Sequence, residues 1–67
     1  MKQPTAYMLA ITARDLAEIT RHKCAELSQA LQGPGELPLA AARLYNDAVL
    51  IHAELSDIVR AIVAEND

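Results

Sequence analysis

Three side chains of kinds that often bind metal ions recur at four-residue spacing in the first half of the chain. Glu18, His22 and Glu26 would share one face of a helix, with Asp15 close by. A metal site in a helical bundle needs a second ligand group, such as the Glu-x-x-His motif of di-iron proteins, and the sequence contains no such motif. We therefore interpret these residues as a solvated helix surface stabilised by local charge pairs, and predict no metal and no cofactor.

The second histidine, His52, lies among apolar residues instead. It falls between Val49 and Val59, with Tyr45 seven residues before it on the same row. A histidine in this position is either half-buried and hydrogen-bonded or part of a pH-sensitive contact with a partner. Tyrosine is enriched at protein interfaces, so this row is a candidate association surface.

The chain lacks the residue groupings of nucleophilic catalysis. Its single cysteine, Cys24, falls on the core side of the first helical pattern, no serine follows a glycine-rich elbow, and the QGPGELP segment has no phosphate-binding signature. One cysteine cannot form an internal disulfide, which favours a reducing compartment. We expect a protein that is not an enzyme, with no targeting segment and no membrane span, in the cytoplasm.

The pattern of apolar residues predicts an all-α fold, a two-helix antiparallel hairpin. We expect one domain, 1–67, with helix 1 at about 5–32, a loop at 33–36 and helix 2 at about 37–64. Matched helix lengths and a short loop are typical of such hairpins.

The predicted ends of the helices rest on a few residues. Thr5 is a possible N-cap of helix 1. Gly33 suits a left-handed position after the helix, and Pro34 cannot continue it. Pro38 is tolerated because it falls in the first turn of helix 2.

Helix 2 shows the clearest packing pattern. Its apolar residues alternate at spacings of three and four, which predicts a coiled-coil-like seam toward helix 1. These residues are Leu37, Ala41, Leu44, Ala48, Ile51, Leu55, Ile58 and Ile62. A second row, Tyr45, Val49, His52, Val59 and Val63, lies beside them, and one partner helix hardly covers both rows.

Helix 1 is less regular. Its main stripe is Ala6, Leu9, Ala13, Leu16, Thr20, Cys24, Leu27 and Leu31. Apolar arcs this wide favour a homodimeric four-helix bundle, since closed two-fold symmetry is a common way to bury such a face. The residues predicted to form the dimer or partner interface are Met8, Ile11, Tyr45, Val49, His52, Val59 and Val63. A heteromeric partner and a monomer are the alternatives.

The formal charge of −3 is divided unevenly, because residues 1–32 sum to +1 and residues 33–67 to −4. A net acidic chain binds phosphates poorly, so the composition disfavours nucleic acid as a partner. Arg14 and Arg21 share the outer face of helix 1 and are possible polar partner contacts, although Glu18 and His22 interrupt the strip. In length and two-helix plan the chain resembles the Rop family of RNA-binding hairpin dimers.

Two further resemblances concern proteins that bind proteins. The Gly-containing loop and the apolar second helix make the chain similar to small helical-hairpin co-chaperones of type III secretion needles. Its size and acidic, Ala-rich composition also resemble phage-encoded anti-activators that disable a host transcription factor. The function we expect is that of a small dimeric regulator, an adaptor or inhibitor of the phage or bacterial kind, that binds a larger host protein.

Overall fold

A computed structural model describes residues 4–66 of the chain, so Lys2 and Asp67, which enter the charge count, lie outside the described residues. Helix α1 covers Pro4–Ala30 and helix α2 covers Glu36–Asn66, with no strand between residues 4 and 66. The two helices pack against each other, which confirms the all-α hairpin.

Both helices follow from their composition. Alanine, leucine and glutamate, which have high helix propensity, are frequent in them, and neither helix contains glycine. Helix α1 begins at Pro4, so Thr5 lies inside the first turn and does not precede it as an N-cap. In α2, Glu36 adds a negative charge at the positive end of the helix dipole, and Pro38 lies in the first turn as expected.

The loop turns on two glycines. After Ala30, one further helical contact is made where the Leu31 amide donates to the Leu27 carbonyl at 3.0 Å. Gly33 and Gly35 then have φ values of +128° and +122°, which residues with a Cβ rarely adopt. These two positions let the chain reverse within five residues and start α2 antiparallel to α1.

The contact between the helices is built from small side chains. Ala10, Ala41, Ala48 and Val59 are its buried residues, between 3% and 8% exposed. Small residues let two helix backbones approach closely, but they bury little apolar area each. The result is a thin rod, with Cα atoms spanning 50 × 13 × 12 Å.

The orientation of α2 differs from the predicted seam. Ala41 and Ala48 face α1 as predicted, but every seventh residue of that seam, Leu37, Leu44, Ile51 and Ile58, remains between 48% and 68% exposed. The second row turns inward in their place: Val59 is buried, and Tyr45 and His52 are half-buried.

The same rotation is seen in α1. Leu9 and Leu16 of its predicted stripe are exposed, while Ala10 is buried and Ala17 half-buried. The two helices therefore meet mainly through small side chains, and the exposed leucines Leu9, Leu16, Leu37 and Leu44 lie beside the contact.

Candidate functional site

One side of the hairpin carries a set of large aliphatic side chains, which we call the leucine face. Its members come from both helices, recur mostly at intervals of seven, and are between 45% and 68% exposed. They are Leu9, Leu16 and Leu27 of α1 with Leu37, Leu44, Ile51 and Ile58 of α2. Large exposed apolar patches mark interaction sites on many soluble proteins.

A shallow groove runs along the middle of the leucine face. Its α1 wall is made of Leu16 and smaller side chains, and its α2 wall includes Leu44 and Ile51. The complete lining is Ala13, Leu16, Ala17, Thr20, Cys24, Leu44, Asp47, Ala48, Ile51 and Leu55. Because small residues flank Leu16 on the α1 wall, the groove has room for aliphatic side chains of another molecule.

The opposite side of the hairpin is polar, and we call it the polar face. Leu16 and Glu18 are two residues apart, about 200° around the helix axis, so they lie on opposite sides of α1. A second groove on the polar side is lined by Arg21, His22, Ala25, Glu26, Gln29 and Tyr45. The sequence-predicted residues Tyr45 and Arg21 are thus brought together across the two helices.

Glu18 is the centre of charge interactions on this polar face. Its Oε1 accepts a hydrogen bond from Nη2 of Arg21 at 3.0 Å and lies 3.8 Å from Nε2 of His22. The hydrogen bond from Arg21 lowers the pKa of Glu18 below its ordinary value. Desolvation of the carboxyl opposes this shift, and attraction from His52 on α2, from Arg21 and from His22 adds to it. This cluster links the polar face of α1 to α2 through His52.

The two arginines predicted as partner contacts already have acidic neighbours. Nη2 of Arg14 lies 3.6 Å from Oδ1 of Asp15, and Arg21 is bound to Glu18. Both side chains are about one third exposed, and Nε of Arg21 is buried without a hydrogen-bond partner. The charge of the strip is therefore locally balanced.

The acidic side chains weighed as metal ligands in the sequence form ion pairs with basic neighbours. Glu18 accepts a hydrogen bond from Arg21, and Glu26 accepts one from Lys23 at 3.3 Å. Among residues 4–66, no group of three His, Cys, Asp or Glu side chains is arranged to hold a metal ion.

Comparison with known proteins gave one result. No protein-family model, curated protein or solved structure matches this chain.

Neither helix within residues 4–66 combines the length and apolarity needed to cross a membrane.

The remaining predicted interface residues are spread around the hairpin. Met8 is 61% exposed, Ile11 and Val49 are half-buried, and Val63 is 42% exposed near the end of α2. Val59 is already buried inside the hairpin. The sequence interpretation missed the leucine face as an open surface, although its seven-residue spacing was visible in the predicted seam.

Proposed function

We propose that this chain is a small protein-binding regulator without enzyme activity, built as a homodimeric four-helix bundle. The observation that supports it is the leucine face, where seven large aliphatic side chains stay about half exposed or more. The buried residues between the two helices are small by comparison: Ala10, Ala41, Ala48 and Val59. Fully burying one Leu or Ile side chain contributes about 1.5–3 kcal/mol. Association through this face therefore supplies the apolar core that the isolated hairpin lacks.

The polar face would then stay open to a larger partner. It offers Tyr45, the half-buried guanidinium of Arg21 and the neighbouring His22 in one groove. Such a mix of an aromatic ring and an arginine is typical of residues that dominate binding energy at protein interfaces. We propose that this face binds a larger host protein in the cytoplasm, such as a transcription factor. The chain would act on that protein as an adaptor or an inhibitor.

Two neighbouring residues of α2 give a matched test of the bundle. Ile51 and Leu50 are 53% and 60% exposed, but only Ile51 belongs to the leucine face. Ile51→Glu should convert a dimer to a monomer in sedimentation equilibrium at micromolar concentration, because it places a carboxylate in the apolar contact. Leu50→Glu adds the same charge outside it and should leave the dimer intact. A wild-type monomer, or equal effects of the two substitutions, would overturn the bundle.

The thiol of Cys24 provides a second readout, since it lines the groove. In the dimer its reaction with a maleimide should be slow, and Ile51→Glu should accelerate it while Leu50→Glu should not. Equal labelling rates in all three proteins would mean that nothing covers the leucine face.

The partner-binding part is tested separately on the polar face. Tagged wild-type protein and the Arg21→Glu variant should be compared in quantitative affinity capture from bacterial lysate. We expect a larger protein that is retained by the wild type and lost with Arg21→Glu, while both remain dimers. Identical captured proteins would remove the polar face as the target site.

A further inference from the structure

We propose that the leucine face is covered by a second copy of this chain in one particular arrangement, with the two loops at the same end and α1 of each copy lying over α2 of the other. This inference rests on the proposed homodimer and adds the geometry of its contact.

The size of the face fits a second copy. The hairpin is 50 Å long. Its width is that of two helices side by side, about 20 Å. Its projected area is therefore about 1,000 Å², comparable with the roughly 800 Å² that each partner contributes to a stable complex. Covering this face with an identical one buries the leucines of both copies at once.

Two-fold symmetry allows two ways of placing one hairpin face over another. An axis parallel to the helices puts both loops at the same end and α1 over α2 of the other copy. An axis perpendicular to the helices puts the loops at opposite ends, with α1 over α1 and α2 over α2. The apolar residues accept either arrangement, so the charges beside them must decide.

The charges differ between the two helices. Helix α1 has three basic and three acidic side chains and is neutral, whereas α2 has two basic and five acidic ones and carries −3. Asp47 lines the groove of the leucine face, and Glu54 follows it by seven residues on the same side of α2. An arrangement that stacks α2 on α2 brings two strongly acidic helices together.

The acidic side chains would meet directly in the opposite-end arrangement. The middle of α2, Glu36–Asn66, lies near Ile51, about halfway between Asp47 and Glu54. Reversing one copy about that point places Asp47 of each copy beside Glu54 of the other. Like charges in facing positions destabilise such a contact.

The same-end arrangement replaces this repulsion by attraction. Lys23 follows Leu16 by seven residues, and its neighbour Cys24 lines the same groove as Asp47. Lys23 lies ten residues before Gly33 and Asp47 lies twelve residues after Gly35, so with a rise of about 1.5 Å per residue the two lie at similar levels along the hairpin. Rotation about an axis parallel to the helices preserves that level, so Lys23 of one copy lies near Asp47 of the other, twice per dimer. Within its own chain, Nζ of Lys23 lies 3.3 Å from Oε1 of Glu26 in an exposed ion pair, so Lys23 would be shared between Glu26 and Asp47 of the other copy.

The two arrangements predict opposite effects of one substitution. Asp47→Lys places a lysine near Lys23 of the other copy in the same-end dimer and should raise the dimer dissociation constant about fivefold at low salt. The double change Lys23→Asp with Asp47→Lys should restore it. In an opposite-end dimer, Asp47→Lys would create attraction to Glu54 and tighten the dimer, which would overturn the proposal.

Distances between loops give an independent measurement. A spin label on Gln32→Cys in a Cys24→Ser background marks the loop of each copy. Same-end loops should give a label separation of roughly 30 Å or less, a few helix diameters, and opposite ends a separation near the 50 Å length of the hairpin. The long distance would refute this arrangement and leave the bundle standing, whereas a monomer in sedimentation would refute the bundle itself.

Discussion

Oε1 of Glu18 accepts a hydrogen bond from Nη2 of Arg21 at 3.0 Å, one turn further along α1. This contact, with His52 contributing from α2, lowers the pKa of the Glu18 carboxyl. A carboxyl whose pKa is lower in the folded chain stabilises the fold above its unfolded pKa, and the contribution is lost as the pH falls through the folded pKa.

We therefore expect acid to destabilise the wild type more than the Glu18→Gln variant. The free energy of unfolding, measured by urea titration between neutral pH and pH 3, should fall less steeply in Glu18→Gln. Arg21→Gln should have a similar effect on the slope, and the double variant should show no further change, because the two residues act through one bond. Parallel pH curves for all four proteins would show that the contact does not stabilise the fold.

The alanine contact between the helices predicts a penalty for a larger side chain. Ala48 is 6% exposed, so Ala48→Leu should separate the helices and destabilise the protein by about 1–3 kcal/mol. Ala53 is exposed on α2, and Ala53→Leu should change stability by less than about 0.5 kcal/mol. Thermal unfolding followed by circular dichroism compares them, and equal melting temperatures would contradict the buried position of Ala48.

Substitutions at Val59 and Val63 compare a buried position of α2 with an exposed one. Val59 is 6% exposed, and Val59→Asp should destabilise the hairpin by about 3 kcal/mol, since it buries an unpaired charge. Val63 is 42% exposed, and Val63→Asp should cost less than about 1 kcal/mol. Urea unfolding at several protein concentrations distinguishes loss of fold from loss of association. If Val59→Asp were as stable as Val63→Asp, Val59 would not be buried between the helices.

The backbone conformation of the loop predicts that replacing Gly33 with a residue that has a Cβ lowers the stability of the fold. A Cβ added there would meet no atom within 4 Å, so the effect of Gly33→Ala comes from its φ of +128° alone. We expect a loss of about 1 kcal/mol, measured by thermal unfolding. Gln32→Ala, at the neighbouring exposed position, serves as the control and should be close to neutral. A neutral Gly33→Ala would mean that the loop adopts another backbone conformation.

The sequence alone determined the two helices and the turn between them. The absence of glycine inside each helix, the high propensity of alanine and leucine, and the cluster Gly33, Pro34 and Gly35 are local signals that act within a few residues. They needed no knowledge of what the helices contact.

Only the tertiary structure decided which side of α2 faces α1, because the sequence contains two overlapping patterns. Ala41, Ala48, Leu55 and Ile62 alternate at spacings of three and four with Leu37, Leu44, Ile51 and Ile58, and equally with Pro38, Tyr45, His52 and Val59. Both patterns meet the spacing rule for a helix seam, and they differ by a small rotation of α2 about its axis. The structure follows the second pattern, in which Val59 is buried while Leu37, Leu44, Ile51 and Ile58 stay on the open face. Because Ala41 and Ala48 belong to both patterns, the choice depends on how the side chains beside them fit against α1, and the spacing along one helix does not specify that fit.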